Sequence, residues 1–90
     1  MNKYPIAVGC VVISKMGRDE GRRFVVIQEV DADFVLLADG DLRKMDHLKK
    51  KRRKHLKTTG IVVEEIAARQ REGAAIENQE VRSWLKREEK

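Results

Sequence analysis

The sequence predicts a mainly β protein with an α appendage: a small barrel or sandwich of four or five short strands, followed by two short helices. Three observations predict it. Short apolar segments rich in β-branched residues recur at roughly 8–12-residue spacing between turn signals. From Thr58-Thr59 onward the apolar spacing becomes helical. Ninety residues suit one domain with an appended element, and a chain this short buries only roughly 60% of its unfolded surface, so its core is small.

The elements follow in order. "IAVGCVVI" (6–13) is too short for a helix and reads as a buried strand. "SKMGRDEG" is loop, with Gly17 and Gly21 among polar residues. "RRFVVIQEV" (22–30) is a second strand, "DAD" (31–33) a turn and "FVLLA" (34–38) a third strand. Asp-Gly in "DGD" (39–41) supplies the positive φ of a tight turn. "LRKM" (42–45) then reads as a fourth strand and "HLK" (55–57) as a last one. Apolar residues on both faces of 6–13 and 24–30 require a tightly closed barrel or a sheet covered on its far side.

Beyond that, Thr58 or Thr59 caps a helix over 60–72, with Glu64 and Glu65 in its early turns and Gly73 at its end. Asn78 caps a second helix at 79–88, where Val81, Trp84 and Leu85 make an apolar stripe. Isolated helices this short are marginal in water, so both must dock on the barrel, on each other or on a partner. The expected organisation is 1–59 barrel and 60–90 helical appendage.

Charge is distributed unevenly. The net charge is +5, yet Arg43 to Lys57 holds nine Lys or Arg against one acid, so that segment carries +8 and the rest −3. A mildly acidic scaffold holding one basic segment points to a polyanionic partner. Its centre is "KKKRRK" (49–54), displayed as a loop or an extended last strand edge. One cysteine excludes an internal disulfide, and Cys10 reads as a small core residue. The first 15 residues lack the marks of a signal peptide, and no apolar run approaches a membrane span, so a soluble cytoplasmic protein with no membrane partner is expected.

The stretch "GCVVISKMGRDEGRRFVVIQEVDADFVLLADG" (9–40) resembles the KOW motif of ribosomal proteins and transcription elongation factors. The features that match are Gly9 with Val11 and Val12, Gly17 and Gly21, the apolar run Val25–Ile27 with Val30, and Val35-Leu36-Leu37 leading into Asp39-Gly40. The continuation "DLRKMDHLKKKRRKHLKTT" is similar to KOW-containing large-subunit ribosomal proteins of archaeal and eukaryotic type and their small bacterial relatives. The resemblance covers about residues 6–59. It implies an SH3-like β-barrel and RNA binding, with the glycine loop facing RNA.

The candidate RNA-binding residues are therefore Lys15, Arg18, Arg22 and Arg23 around that loop, and Arg43, Lys44, Lys49, Lys50, Lys51, Arg52, Arg53, Lys54, His55 and Lys57 in the basic segment. Lys and Arg neutralise phosphates and release counterions, which adds affinity without reading bases. Asp19 and Glu20 dilute the loop's charge and orient its arginines. Aromatics are scarce, and Phe24 and Phe34 fall within strands as core residues, which favours structured RNA over stacked single strands. The expected partner is structured RNA, ribosomal RNA foremost. The alternative is a protein-interaction module of the transcription or translation machinery that uses the helices of 60–90.

No P-loop, nucleophile elbow or catalytic constellation appears, so no enzyme activity and no cofactor are expected. His47, His55 and Cys10 lack the spacing of a metal site.

Overall fold

The computed structural model describes residues 6–88. Tyr4, an aromatic whose exposure the sequence leaves open, lies outside the described residues. Five strands form one antiparallel sheet in the order β4-β3-β2-β1-β5: β1 Cys10–Ser14, β2 Arg23–Glu29, β3 Phe34–Ala38, β4 Lys49–Arg52 and β5 Leu56–Val62. Two helices follow, α1 Glu64–Glu72 and α2 Asn78–Arg87.

The edge strands β4 and β5 are joined only by a single 3-10 turn, Arg53–His55. In a flat sheet, four strand spacings of about 4.8 Å would put them about 19 Å apart. A turn rising about 2 Å per residue cannot bridge that gap. The sheet therefore coils until its two edges approach at this corner. Register shifts at Cys10/Val12 against β5 and at Val26/Gln28 against β3 supply local bends of the kind that coiling needs.

Apolar residues on both faces of β1 and β2 are explained by two cores. Inside the coil, Ile6, Cys10, Val12, Phe24, Val26, Val35, Leu37 and Leu56 pack together. On the opposite face, Val11, Val25, Ile27 and Ala38 are covered by Val63, Ile66, Ile76, Val81, Trp84 and Leu85. The apolar stripes of both helices are thus spent on the sheet. At this junction Gly9 has φ +93° and sits so close to Val63 that a Cβ would lie 2.8 Å from its carbonyl oxygen.

Several expectations about elements need correction. "LRKM" is not a strand, because its backbone groups are taken elsewhere. The Asp39 carboxylate accepts the amides of Asp41 and Arg43 at 2.9 and 2.8 Å, and the Met45 amide donates to Asn78 Oδ1 at 2.7 Å. The fourth strand is instead the basic run itself, since Lys49–Arg52 pairs with Leu37–Phe34. The last strand is longer than "HLK" and passes through Thr58 and Thr59 to Val62, beyond the division expected after residue 59. Thr59 caps no helix: its hydroxyl donates to the Val11 carbonyl at 2.7 Å and accepts the Ile61 amide, holding a bulge open. Helix α1 therefore begins at Glu64, and it ends at Gly73 in the left-handed conformation as expected. The α2 cap is Glu77 rather than Asn78, whose side chain is engaged by Met45; Glu80 reaches back to accept the Glu77 amide at 3.0 Å. The first strand starts at Cys10, after a turn at Val8-Gly9.

Candidate nucleic-acid interface

In β4, alternation splits four consecutive cations between two faces. Lys49 and Lys51 lie opposite Leu37 and Val35, on the side of the inner core. Both are fastened to the β1–β2 loop. Lys49 Nζ is 3.7 Å from the Asp19 carboxylate, and Lys51 Nζ donates to the Met16 carbonyl at 2.9 Å. Arg43 approaches the same Asp19 carboxylate at 4.0 Å. Asp19 thus does more than dilute charge: it draws Arg43 and Lys49 toward the loop.

Lys50 and Arg52 point the other way and stand over the ring of Phe34, 4.7 and 4.9 Å from its centroid. Phe34 is therefore not a core residue as expected. It is partly exposed, whereas Phe24 is fully buried. The reason is register: Val35 and Leu37 take the inward positions of β3, which leaves Phe34 facing out beneath the two cations.

The fold thereby brings the glycine loop and the basic segment together, although they are some thirty residues apart in sequence. Of the predicted residues, Lys15, Arg18, Lys44, Lys50, Arg52, Lys54 and Lys57 are exposed. Arg22, Arg23, Arg43, Lys49, Lys51, Arg53 and His55 are partly buried. Arg22 is held by Asp39 at 3.0 Å and Asp41 at 3.9 Å. Burial pushes the Asp39 carboxyl up. The amides of Arg43 and Asp41 and the Arg22 guanidinium outweigh that and hold it below the usual carboxylate range.

Arg53 is a structural staple. It donates to the Ile6 carbonyl at 2.6 Å, to the Asp31 carbonyl at 2.9 Å and to Glu29 at 2.9 Å, and it is only 22% exposed. Asp31 in turn accepts the amides of Asp33 and Phe34 at 2.8 Å each, closing the turn before β3. Arg53 so ties the corner between β4 and β5 to that turn.

His55 sits at the same corner, where its carbonyl accepts the Lys15 amide at 2.8 Å. Its pKa is lowered, first by desolvation and then by Lys54, Lys51, Arg52 and Lys15. The site thus disfavours a further positive charge on the protein itself.

Two contributors were missed by sequence reasoning, Phe34 as a platform and Asp39 as the hub of the 39–45 loop, while Asp19, expected to orient arginines of its own loop, instead meets Arg43 and Lys49. Only Phe34 left a signal, its parity opposite to Val35 and Leu37 within "FVLLA". Among the described residues, no group of three or more His, Cys, Asp or Glu side chains is placed to hold a metal ion. No helix among them is long and apolar enough to cross a membrane. No family model matches the chain, and no curated protein matches it significantly.

Proposed function

We propose that this chain is a non-catalytic RNA-binding protein of KOW type, acting in the cytoplasm. Its coiled sheet is an SH3-like barrel, and its two helices brace that barrel. It contacts structured RNA, ribosomal RNA foremost, through the loop 15–21 and the exposed side of the basic segment.

The observation that carries this reading is the joining of that loop to β4. Asp19 and the Met16 carbonyl hold Lys49 and Lys51, so the loop is anchored beside a strand whose outward cations, Lys50 and Arg52, stay displayed. A solubilising charge run would not need half of its members fastened to a second segment. Cations on a strand edge project at fixed intervals, which suits the regular phosphates of an RNA backbone. Lysines on an edge strand also deter pairing with another sheet, so the same residues protect the barrel.

The alternative, a protein-interaction module that uses the helices, is weakened by their packing. Val81, Trp84 and Leu85 are buried against the sheet and are not offered to a partner.

The test is cosedimentation of the tagged protein with ribosomes across a salt series. The expected result is association with the large subunit that persists at moderate salt, followed by crosslinks from residues 50, 52 and 54 to RNA. Absence from every ribosomal fraction would remove the ribosomal assignment. Absence of RNA crosslinks from any cellular fraction would remove the RNA reading itself. Charge reversal at Arg53 is unsuitable as a test, because that residue holds the fold together.

A further inference from the structure

A second basic feature lies away from β4, on the side of the sheet that the helices cover. A cleft of about 450 Å³ opens between the start of β2 and the last turns of α2. Its lining carries Arg22, Arg23, Arg82 and Lys86 against Asp39 and Asp41. The carboxylates are already engaged: Asp39 accepts Arg22 and the amides of Asp41 and Arg43, and Asp41 lies 3.9 Å from Arg22. Arg82 donates to the Gly40 carbonyl. Arg23 is different. Its Nε and Nη2 are buried and have no hydrogen-bond partner among the described residues. The residue as a whole is partly exposed, but taking two guanidinium nitrogens out of water with no hydrogen-bond partner is unfavourable.

Arg23 is on the helix-facing side because it shares the parity of Val25 and Ile27 in β2. It shares that face with Phe34 but lies at the other end of the strands, since the start of β2 meets Ala38 and its end meets Val35. The lining has an excess of two positive charges, and α2 supplies two of its four cations.

We propose that this cleft binds a phosphate group, with Arg23 as its principal ligand and Lys86 at its mouth. The Nε/Nη2 edge of a guanidinium grips two oxygens of one phosphate; because those atoms are buried, binding requires the side chain to turn that edge toward the cleft. A bound phosphate supplies the acceptors that Arg23 Nε and Nη2 lack. The phosphate comes from an RNA backbone or from a free phosphorylated metabolite. The RNA source rests on the function proposed above; the site itself does not.

The test begins without RNA. Inorganic phosphate is titrated into the protein, with chloride at matched ionic strength as control, and the Arg23 Nε–H resonance and the backbone amide resonances of Gly21, Asp41 and Leu85 in the cleft lining are followed by NMR, the amides being the readout in the variants. Saturable movement with phosphate alone is expected. Arg23→Met removes it, and Lys86→Glu weakens phosphate roughly ten- to hundredfold, the worth of a charged hydrogen bond. Arg23→Met is also expected to be more stable than the parent in chloride, because it removes two buried nitrogens that have no hydrogen-bond partner. Should Arg23→Met fail to fold, Lys86→Glu on the exposed face of α2 still decides the matter. No saturation, an identical response to chloride, or an unchanged phosphate response in Lys86→Glu would overturn the proposal.

RNA affinity of the same variants then assigns the source. A loss parallel to the phosphate loss places RNA backbone in the cleft. Intact RNA affinity assigns the cleft to a free phosphorylated ligand. A positive phosphate response with no RNA binding by any form would refute the RNA reading and leave the cleft standing.

Discussion

Replacing Lys50 and Arg52 together by Gln tests the division of β4 into a displayed and a fastened face. Both side chains are exposed and rest on Phe34, so the double variant removes charge without opening either core. Each phosphate contact contributes roughly 0.7–0.9 to the slope of log K against log salt, so two contacts lower its magnitude by about 1.4–1.8. Taken from a 1 M reference to 0.15 M salt, that amounts to about 15- to 30-fold in affinity, or about 1.6–2 kcal/mol. The control is Lys49→Gln with Lys51→Gln. Those cations are held by Asp19 and the Met16 carbonyl, and their loss is expected to change the slope by less than about 1. Fluorescence anisotropy on one structured ribosomal RNA fragment, at five or so salt concentrations, measures both variants. The reasoning fails if Lys50→Gln/Arg52→Gln keeps the parental slope. It fails equally if the control pair lowers the slope as much.

Other perturbations probe the scaffold. Arg53→Ala is expected to cost about 1.5–3 kcal/mol in urea unfolding, because three acceptors lose a charged donor; a change under about 0.5 kcal/mol would contradict the staple. Gly40→Ala is expected to cost at least about 1–2 kcal/mol, since φ is +78° and a Cβ would run into the Asn78 carbonyl, pushing α2 from the sheet; near-neutral unfolding would count against that contact. The Glu80 carboxyl is lowered to about 2, first by Arg69 and then by the Glu77 amide. A depressed carboxyl contributes stability above its unfolded value of 4.5 that is lost as pH falls toward 2, so Glu80→Gln should flatten the acid limb of a stability–pH curve. His55 is also depressed, so stability is expected to fall as pH drops below 6.5, and His55→Gln should remove that part of the decline.

Much of the β architecture was legible because it depends on local pattern. "FVLLA" was placed from 34 to 38 as it stands, and Gly73 as the end of α1, because β-branched enrichment and left-handed glycine act over a few residues. The two-faced apolar pattern of β1 and β2 also announced that both faces are covered. The misplaced elements share a different cause. Lysine has low strand preference, so "KKKR" becomes β4 only because β3 offers it an open edge. "LRKM" looked like a strand until Asp39 and Asn78 took its amides, and neither residue's role is visible without the third dimension.

The candidate interface divides along the same line. The count of cations, their clustering from Arg43 to Lys57 and the glycine loop were determined by sequence alone, because charge and glycine spacing are properties of the chain. Which cations are displayed was decided by tertiary structure. Strand parity sends Lys50 and Arg52 outward and Lys49 and Lys51 inward, and parity is set by pairing with β3. Arg53 was indistinguishable from its neighbours until the coiled sheet brought Ile6, Glu29 and Asp31 to it. Two nitrogens of Arg23 lose access to water only in the folded chain, where the start of β2 meets α2. Composition states how much charge a chain carries; the geometry of pairing and packing states where each charge meets water, a carboxylate or nothing.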